Sequence, residues 1–423
     1  MTRIVVTGLG ILSANAHGLE EYEKALREGR SGIRFYQMLK DLGFGCCVGG
    51  IPEKADDLKN AYFSQESLLG MNSNMIYAGI AAIDCWKDAG LPFTKPFESE
   101  IYWDTGAVIG TGIGGMDTAG EKLVPMVNAG KVRRMGSTIA EQVMASSPSA
   151  WIGGCLGLGG QVTTNSSACT TGTESVVNAY LQIREGRAKR MLAGGSEGSS
   201  HYSWAGFDSM RVLSSKYNDT PEKASRPMSA SAAGFVPSSG AGFLMLENME
   251  SAKARGARIY AEVLGGHVNC GGQRNGGTMT APNPEGVIRC IREAIGCAGI
   301  RPDQIDVING HLTATMADPI EINNWQRALE CRPEKFPLIN ATKSLVGHGL
   351  GAAGGIECVA SILQLSRGFV HGSLNCEDLH PQLERFAESI SHKTIDREFK
   401  IIAKASFGFG DVNGCVIFKR WDE

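Results

Sequence analysis

Short apolar runs and longer amphipathic ones alternate along this chain. Arg3–Thr7, with the apolar Ile4–Val6 at its centre, reads as a buried strand that ends in a glycine turn at Gly8 and Gly10. Helical spacing follows at Leu19–Arg27 and at Met75–Ala89, the latter small or apolar along one side. Gly106–Ile109 predicts a strand entering a GTGIGG turn, and Gln161–Thr164 a short strand. Thr170–Arg187 reads as a helix, Arg190–Ala193 as the strand after it, and Gly242–Leu246 as a closing strand. The pattern then restarts. Strands are expected at Arg258–Leu264, Asp306–Asn309 and Phe336–Asn340, and helices at Gly286–Gly296, Asp318–Leu329 and Gly351–Arg367. Strands at Phe399–Ala403 and Gly414–Phe418 end the series. Such alternation predicts an α/β fold with largely parallel sheets. The restart near residue 250 predicts two similar halves, 1–250 and 251–423. No low-complexity linker separates them, so they are expected to pack as one body.

Composition changes this picture little. The 423 residues are 43% hydrophobic and 20% charged, enough for a sizeable core. A net charge of -3 gives no electrostatic argument for nucleic acid or membrane. No apolar run reaches the roughly 18 residues of a membrane span. The 55 glycines are about twice the usual share. They cluster at Gly106–Gly115, Gly153–Gly160, Gly347–Gly355 and Gly408–Gly414, which predicts tight turns and close backbone approach. The twelve cysteines include no CxxC pair, and the chain opens directly on a strand. Reduced thiols in a cytoplasm are therefore expected. No histidine or cysteine has zinc-type spacing, so no metal is expected. Gly110, Gly112 and Gly115 satisfy GxGxxG, but a lone match of this kind is better read as a tight turn. Ser13 stands where a third glycine would complete the Gly8–Gly10 pattern, which weakens a dinucleotide reading there.

Candidate chemistry centres on NSSACTTG at Asn165–Gly172. Cys169 lies between a short strand and a helix, where free backbone N–H groups and the helix dipole favour a thiolate. Its small neighbours leave room for a substrate. His311 directly follows an expected strand, in NGHLTATMADPIE, and His348 precedes a helix, in ATKSLVGHGLGAAGG. Strand-to-helix junctions are where open α/β sheets place their sites.

These segments resemble the β-ketoacyl-acyl-carrier-protein synthases I and II, of thiolase-like fold, almost end to end. VTGLG at the start, LREGRSGI at Leu26–Ile33, SSAC at the cysteine and AGGSE at Ala193–Glu197 carry the resemblance. LSSKYNDTPEKASRP at Leu213–Pro227, TKSLVGHGLGAAG and SFGFG complete it. It implies a layered α-β-α-β-α body and a decarboxylative condensation. Cys169 would take an acyl group, with the N–H groups of Cys169 and Phe409 as oxyanion hole. His311 and His348 would donate to the enolate formed when malonyl-acyl-carrier-protein loses carbon dioxide. Lys343 and Glu321 would orient the histidines, and Glu357 would be structural. Thr313 and Thr315 would hold the pantetheine arm, Phe409 would be the gatekeeper, and Ile113 and Phe207 would line the acyl pocket. The basic Lys131, Arg133 and Arg134 would dock an acidic carrier protein. The resemblance implies no organic cofactor, and a dimer, either a homodimer or a heterodimer with a related subunit.

Four departures from the family pattern bear on substrate and partner. HLTAT replaces HGTST after the first histidine, so a loop with Leu312 is expected to be shaped differently. Asp411-Val412-Asn413 replaces Gly-Thr-Asn after SFGFG, in a loop thought to swing with the gatekeeper. That change adds a carboxylate near the mouth. Met228–Ala233, MSASAA, replaces acidic and Arg-Asp positions, so an ion pair is expected to be missing. Ser64–Leu69, SQESLL, replaces a basic stretch, removing half of the docking patch. Together they point to a specialised synthase of polyene or polyketide-like type, with fatty-acid elongation as the alternative. A non-catalytic partner subunit would usually lack the cysteine. A thiolase would need a second catalytic cysteine, and Cys415 sits in a synthase-like rather than a thiolase-like context. A cysteine hydrolase would need only one histidine.

Overall fold

A computed structural model describes residues 2–422. Its main sheet has eleven strands. The first half contributes β1 (Ile4–Ser13), β2 (Thr105–Gly110), β3 (Val162–Thr163), β4 (Arg190–Glu197) and β5 (Gly240–Asn248). The second contributes β6 (Ala261–Cys270), β7 (Val307–Asn309), β8 (Leu338–Asn340), β9 (Ile401–Gly408) and β10 (Val412–Arg420). A two-residue strand at Ala16–His17 pairs with β1. The order is β8-β7-β9-β10-β6-β1-β5-β4-β2-β3.

Read outward from the centre, the halves run β1-β5-β4-β2-β3 and β6-β10-β9-β7-β8. Chain order and strand directions are the same in both. This topology is the repeat that residue identity hides. Pairing is parallel only at the outer ends, β4-β2-β3 and β9-β7-β8, and antiparallel through the middle. The expectation of largely parallel sheets is corrected to a mixed sheet. The reason is that β10 returns antiparallel after the short turn that follows β9, and β5 returns antiparallel on β4 after the long segment 198–239.

Three of the helices in each half frame this sheet. They are α1 (Ser73–Asp88), α2 (Ser147–Leu156) and α3 (Thr171–Arg184), then α4 (Pro284–Ala298), α5 (Asp318–Leu329) and α6 (Ala353–Arg367). Helix α1 covers β1, β5 and β4 from outside, and α4 covers β6 and β10. The buried pair α3 and α6 packs together and against strands of both halves, giving the expected α-β-α-β-α layering. Helix α6 is buried along almost its whole length, which explains its lack of a polar face.

The glycine clusters are where this central layer closes. A Cβ on Gly172 would lie 2.5 Å from the Gly355 nitrogen. One on Gly354 would strike Thr173, and one on Gly355 would strike the Gly242 carbonyl. Only glycine permits backbones this close. Gly355→Ala and Gly172→Ala are each expected to lower the unfolding free energy by about 2–3 kcal/mol. Gly296→Ala, on α4 with open space around its Cβ position, should be neutral or mildly stabilising. Urea midpoints of the three variants check this.

Candidate active site

Cys169 lies two residues before α3, after Ala168 at φ 49°. That left-handed residue turns the chain sharply and projects the thiol toward the second half. His311 follows β7, and His348 lies in the turn between β8 and α6. The Cys169 Sγ and one ring nitrogen from each histidine all lie within 4.8 Å of one another, and all three residues are buried. The two imidazoles meet edge-on, with centroids 5.3 Å apart. One half supplies the cysteine and the other supplies both histidines.

The ring protons can be assigned from their partners. His348 Nδ1 accepts the Leu350 N–H at 3.1 Å. His311 Nδ1 lies 3.3 Å from the Lys343 ammonium, which can only donate. Burial first, then the charge of Lys343, holds both histidines well below their usual pKa, so both are neutral. Each neutral ring with an accepting Nδ1 carries its proton on Nε2. The site therefore presents two N–H donors beside a thiol. Donors of this kind offer no lone pair to a metal ion, and two nearby ammonium groups also disfavour a cation there.

Lys343 is fully committed. Its Nζ donates to the His311 carbonyl at 2.7 Å, to His311 Nδ1 and to Glu357. Glu357, on α6, also lies 2.7 Å from Lys404 on β9. All three charged residues are buried. Glu321 does not touch the imidazole. It accepts the N–H groups of His311 and Leu312 at 2.7 and 2.8 Å. Asp318, one turn earlier on α5, accepts those of Thr313 and Ala314 at 2.8 and 3.0 Å. Two buried carboxylates thus hold four consecutive N–H groups of the His311 loop. Burial raises their pKa values, to about 7 for Glu321 and about 6 for Asp318.

Leu312 is buried at φ 26° and Ala314 at φ 62°. The loop adopts left-handed backbone at both residues without glycine, and the four carboxylate bonds offset the strain. The thiol also differs from expectation. Burial pushes Cys169 up to about 11, against the opposing pull of Lys343 and of the nearby Phe409 N–H. The turn explains why the helix start helps so little. The N–H groups of Thr170 and Thr171 are taken by the carbonyls of Ser167 and Ala168.

Phe409 is half-buried at the end of β9. Its ring lies 6.1 Å from Phe207, which packs at 5.5 Å on Phe235, which in turn packs at 5.1 Å on His348. Thr313 and Thr315 are linked through their hydroxyls at 3.0 Å and are half-buried. Ile113 is exposed, as are Lys131, Arg133 and Arg134 on a short turn. The MSASAA segment carries no charged side chain; beside it Arg226 pairs with Asp378 at 3.0 Å, and Ser229 and Ser231 bond the same carboxylate. Asp411 does not stand at the mouth but is fully buried.

Sequence reasoning missed Lys404 and passed over Glu197. Glu197 accepts the N–H groups of Gly112, Ile113 and Gly351 at 2.8, 3.2 and 2.9 Å, joining the GTGIGG turn to α6. A lone lysine inside the apolar IIAKASF was the available signal for Lys404.

The β-ketoacyl synthase N-terminal domain model matches residues 1–252, and the C-terminal domain model matches 260–377. The chain belongs to the β-ketoacyl synthase family. It is 36% identical over 420 residues to 3-oxoacyl-[acyl-carrier-protein] synthase 1 of Escherichia coli K12, covering 99% of each chain. Among solved structures it is similar to the ishigamide ketosynthase/chain length factor, with TM-score 0.88, 29% identity and full coverage of both chains. It is also similar to the AntDE:AntF complex, a type II acyl-carrier protein with its ketosynthase bound to the hexaketide. That likeness has TM-score 0.86 and 27% identity over 99% of this synthase-family chain and 100% of the other.

The opposed shifts in the site set its pH behaviour. His311 and His348 have folded values below the unfolded 6.5, so their contribution to stability is full above that pH and lost as pH falls through and below it. Asp318 and Glu321 have raised values and act the other way, losing their contribution as pH rises through 6 to 7. A His311→Asn/His348→Asn double variant removes only the first effect. Relative to it, wild type should lose unfolding free energy on acidification from pH 7 to 5, as measured by chemical denaturation.

Proposed function

We propose that this chain is a decarboxylating condensing enzyme, a 3-oxoacyl-acyl-carrier-protein synthase that uses Cys169 as acyl acceptor. The observation that carries this reading is the convergence of one thiol with two Nε2–H imidazoles within 4.8 Å. Cys169 Sγ attacks the thioester carbonyl of an acyl-carrier protein. The oxyanion is held by the N–H groups of Cys169 and Phe409, and the carrier thiol leaves with the cysteine proton. Malonyl-carrier protein then places its thioester oxygen against His311 and His348. Loss of carbon dioxide puts an electron pair into an enolate whose oxygen those two N–H groups stabilise. The enolate carbon attacks acyl-Cys169, releasing the thiolate and a 3-oxoacyl chain two carbons longer. Two neutral donors suit an enolate better than they suit hydrolysis, which needs a base for water.

In this reading the halves 1–250 and 251–423 divide the work, with the nucleophile on one and Lys343, His311 and His348 on the other. Glu321 and Glu357 act by holding the His311 loop and Lys343. Thr313 and Thr315 receive the pantetheine arm, Ile113 and Phe207 line the acyl pocket, and Lys131, Arg133 and Arg134 meet the carrier protein. The exposure of Ile113 and the open outer edge of strand β3 support a second subunit covering this side. A homodimer is the simplest form. A heterodimer with a related subunit is the second reading, favoured by the full-length likeness to a ketosynthase/chain length factor. No described helix is long and apolar enough to cross a membrane, in keeping with a cytoplasmic pathway of fatty-acid or polyene type.

Intact-protein mass spectrometry tests the reading. Incubation with saturated and polyunsaturated acyl-carrier proteins should give an acyl adduct on Cys169, and malonyl-carrier protein should then give a product two carbons longer. Cys169→Ala should abolish both. His348→Ala should slow decarboxylation by about 10²–10³-fold, the usual effect of losing one preorganised donor. Elongation by Cys169→Ala would sink the mechanism.

A further inference from the structure

The condensation scheme assigns no role to Lys404, the second buried ammonium of the site. It stands on β9, fully buried within the apolar run IIAKASF. Its Nζ lies 2.7 Å from Glu357 Oε2, donates to the Ser406 hydroxyl at 2.9 Å and reaches the Ala405 carbonyl. The other carboxylate oxygen of Glu357 accepts from Lys343, which in turn donates to the His311 carbonyl and to His311 Nδ1. One carboxylate is thus divided between two ammonium groups. Ser406 carries the contact into the first half, because its hydroxyl lies 2.9 Å from that of Thr173 on α3. An ammonium can only donate, so Ser406 accepts from Lys404 and has its own proton free for Thr173.

Holding the strand in place does not require this charge. A buried ammonium is costly, and a neutral side chain of similar length would fill the same space. The groups around the cluster do not cancel it. Burial keeps the Tyr22 phenol and the Cys358 and Cys415 thiols protonated, both thiols being pushed up to about 12. It brings His371 down to about 4, so that ring is neutral as well. The other carboxylates facing the site, Glu321 and Glu197, are each turned to backbone N–H groups. Without Lys404, Glu357 and Lys343 would form a neutral pair. With it, one positive charge is left over beneath His311 and His348, and its effect on both rings runs in the same direction as that of Lys343. The Cys169 sulfur lies within 4.8 Å of those rings and shares their surroundings.

We propose that Lys404 is a positioning residue for the condensation: by sharing Glu357 it leaves the charge of Lys343 uncompensated, and so keeps one net positive charge beneath the place where enolate and oxyanion form. It touches no reacting atom and acts through Glu357 and Lys343. The negative charge it serves rests on the condensing-enzyme reading, but the charge balance belongs to the chain, and the thiol reports it without substrate.

The test compares wild type with Lys404→Met, Lys404→Gln and the double variant Lys404→Met/Glu357→Gln in the full-length protein. Either single variant makes the cluster neutral. The double variant returns it to one positive charge, on Lys343, whose bond the glutamine carbonyl can still accept. In both single variants the pH profile for alkylation of Cys169 by iodoacetamide should move to higher pH, with modification about threefold slower at a fixed mildly alkaline pH, because a nearby cation favours the thiolate. The kcat for decarboxylation of malonyl-carrier protein should fall about tenfold while KM stays the same, the mark of a group that acts only on the transition state. The double variant should recover both the profile and kcat. If Lys404→Met folds poorly, Lys404→Gln and its own double with Glu357→Gln carry the test, since glutamine can still donate to Ser406. An unchanged alkylation profile, or a shifted profile with unchanged kcat, would overturn the proposal. So would losses that the double variant deepens instead of recovering, which would reduce Lys404 to packing. Failure of the condensing reading would look different: wild type would take no acyl group and release no carbon dioxide, while the alkylation profiles would still shift in the single variants and return in the double.

Discussion

Two lysines and one glutamate, buried together beneath the histidines, set the terms for the rest of the site. Lys343, Glu357 and Lys404 come from the turn after β8, from α6 and from β9, so the cluster bolts the central helix to the sheet of the second half. Taking three charges out of water is expensive, and the pairing offsets this only with tight geometry. The cluster keeps one positive charge in excess. That excess adds to burial in lowering the pKa of both histidines, and Lys343 pulls against the burial that raises the thiol. It keeps the imidazoles neutral and donating, and it favours negative charge wherever the reaction creates it. Lys343 also fixes which ring nitrogen of His311 carries the proton. A purely apolar packing of equal volume would hold the helix as well, but it would do neither of these things.

The repeated topology explains how such a cluster comes to face a cysteine. Each half places a helix start at the same point of the same strand order, and the two central helices pack together. The junction before α3 therefore meets the junction before α6. Contact at this distance demands glycine on both sides, which is why Gly172, Gly354 and Gly355 stand opposite one another. The site is a product of the packing between halves, and neither half holds a complete set of reacting groups.

Much of this was legible in the chain. Cys169, His311 and His348 each sit at a strand-to-helix junction, and their neighbouring motifs resemble one family closely enough to order them into a mechanism. The mixed sheet was not legible, because an apolar run of buried-strand length looks the same whether its neighbour runs parallel or antiparallel. Lys404 was hidden inside an apolar strand, where pattern reading treats a lone charge as an interruption. The high pKa of Cys169 was also out of reach. A helix start argues for a thiolate, but in the folded turn its own carbonyls consume the nearest N–H groups.

The two altered loops share one physical logic. Leu312 and Asp411 both occupy left-handed backbone, which favours glycine, and both are buried. In each case carboxylates bonded to backbone N–H groups hold the strained segment. Glu321 and Asp318 do so around Leu312, and Asp411 does so across loop 271–283. Strain balanced by backbone hydrogen bonds makes a segment with few alternative conformations. That rigidity fits a thiol that stays protonated at neutral pH. If the nucleophile is not charged in advance, its activation has to come from the substrate, whose oxyanion must meet two N–H groups already in place. In the proposed condensation a stiff turn at Phe409 would supply that alignment, and the positioning of the backbone around the sulfur would do the work that a depressed thiol pKa would otherwise do.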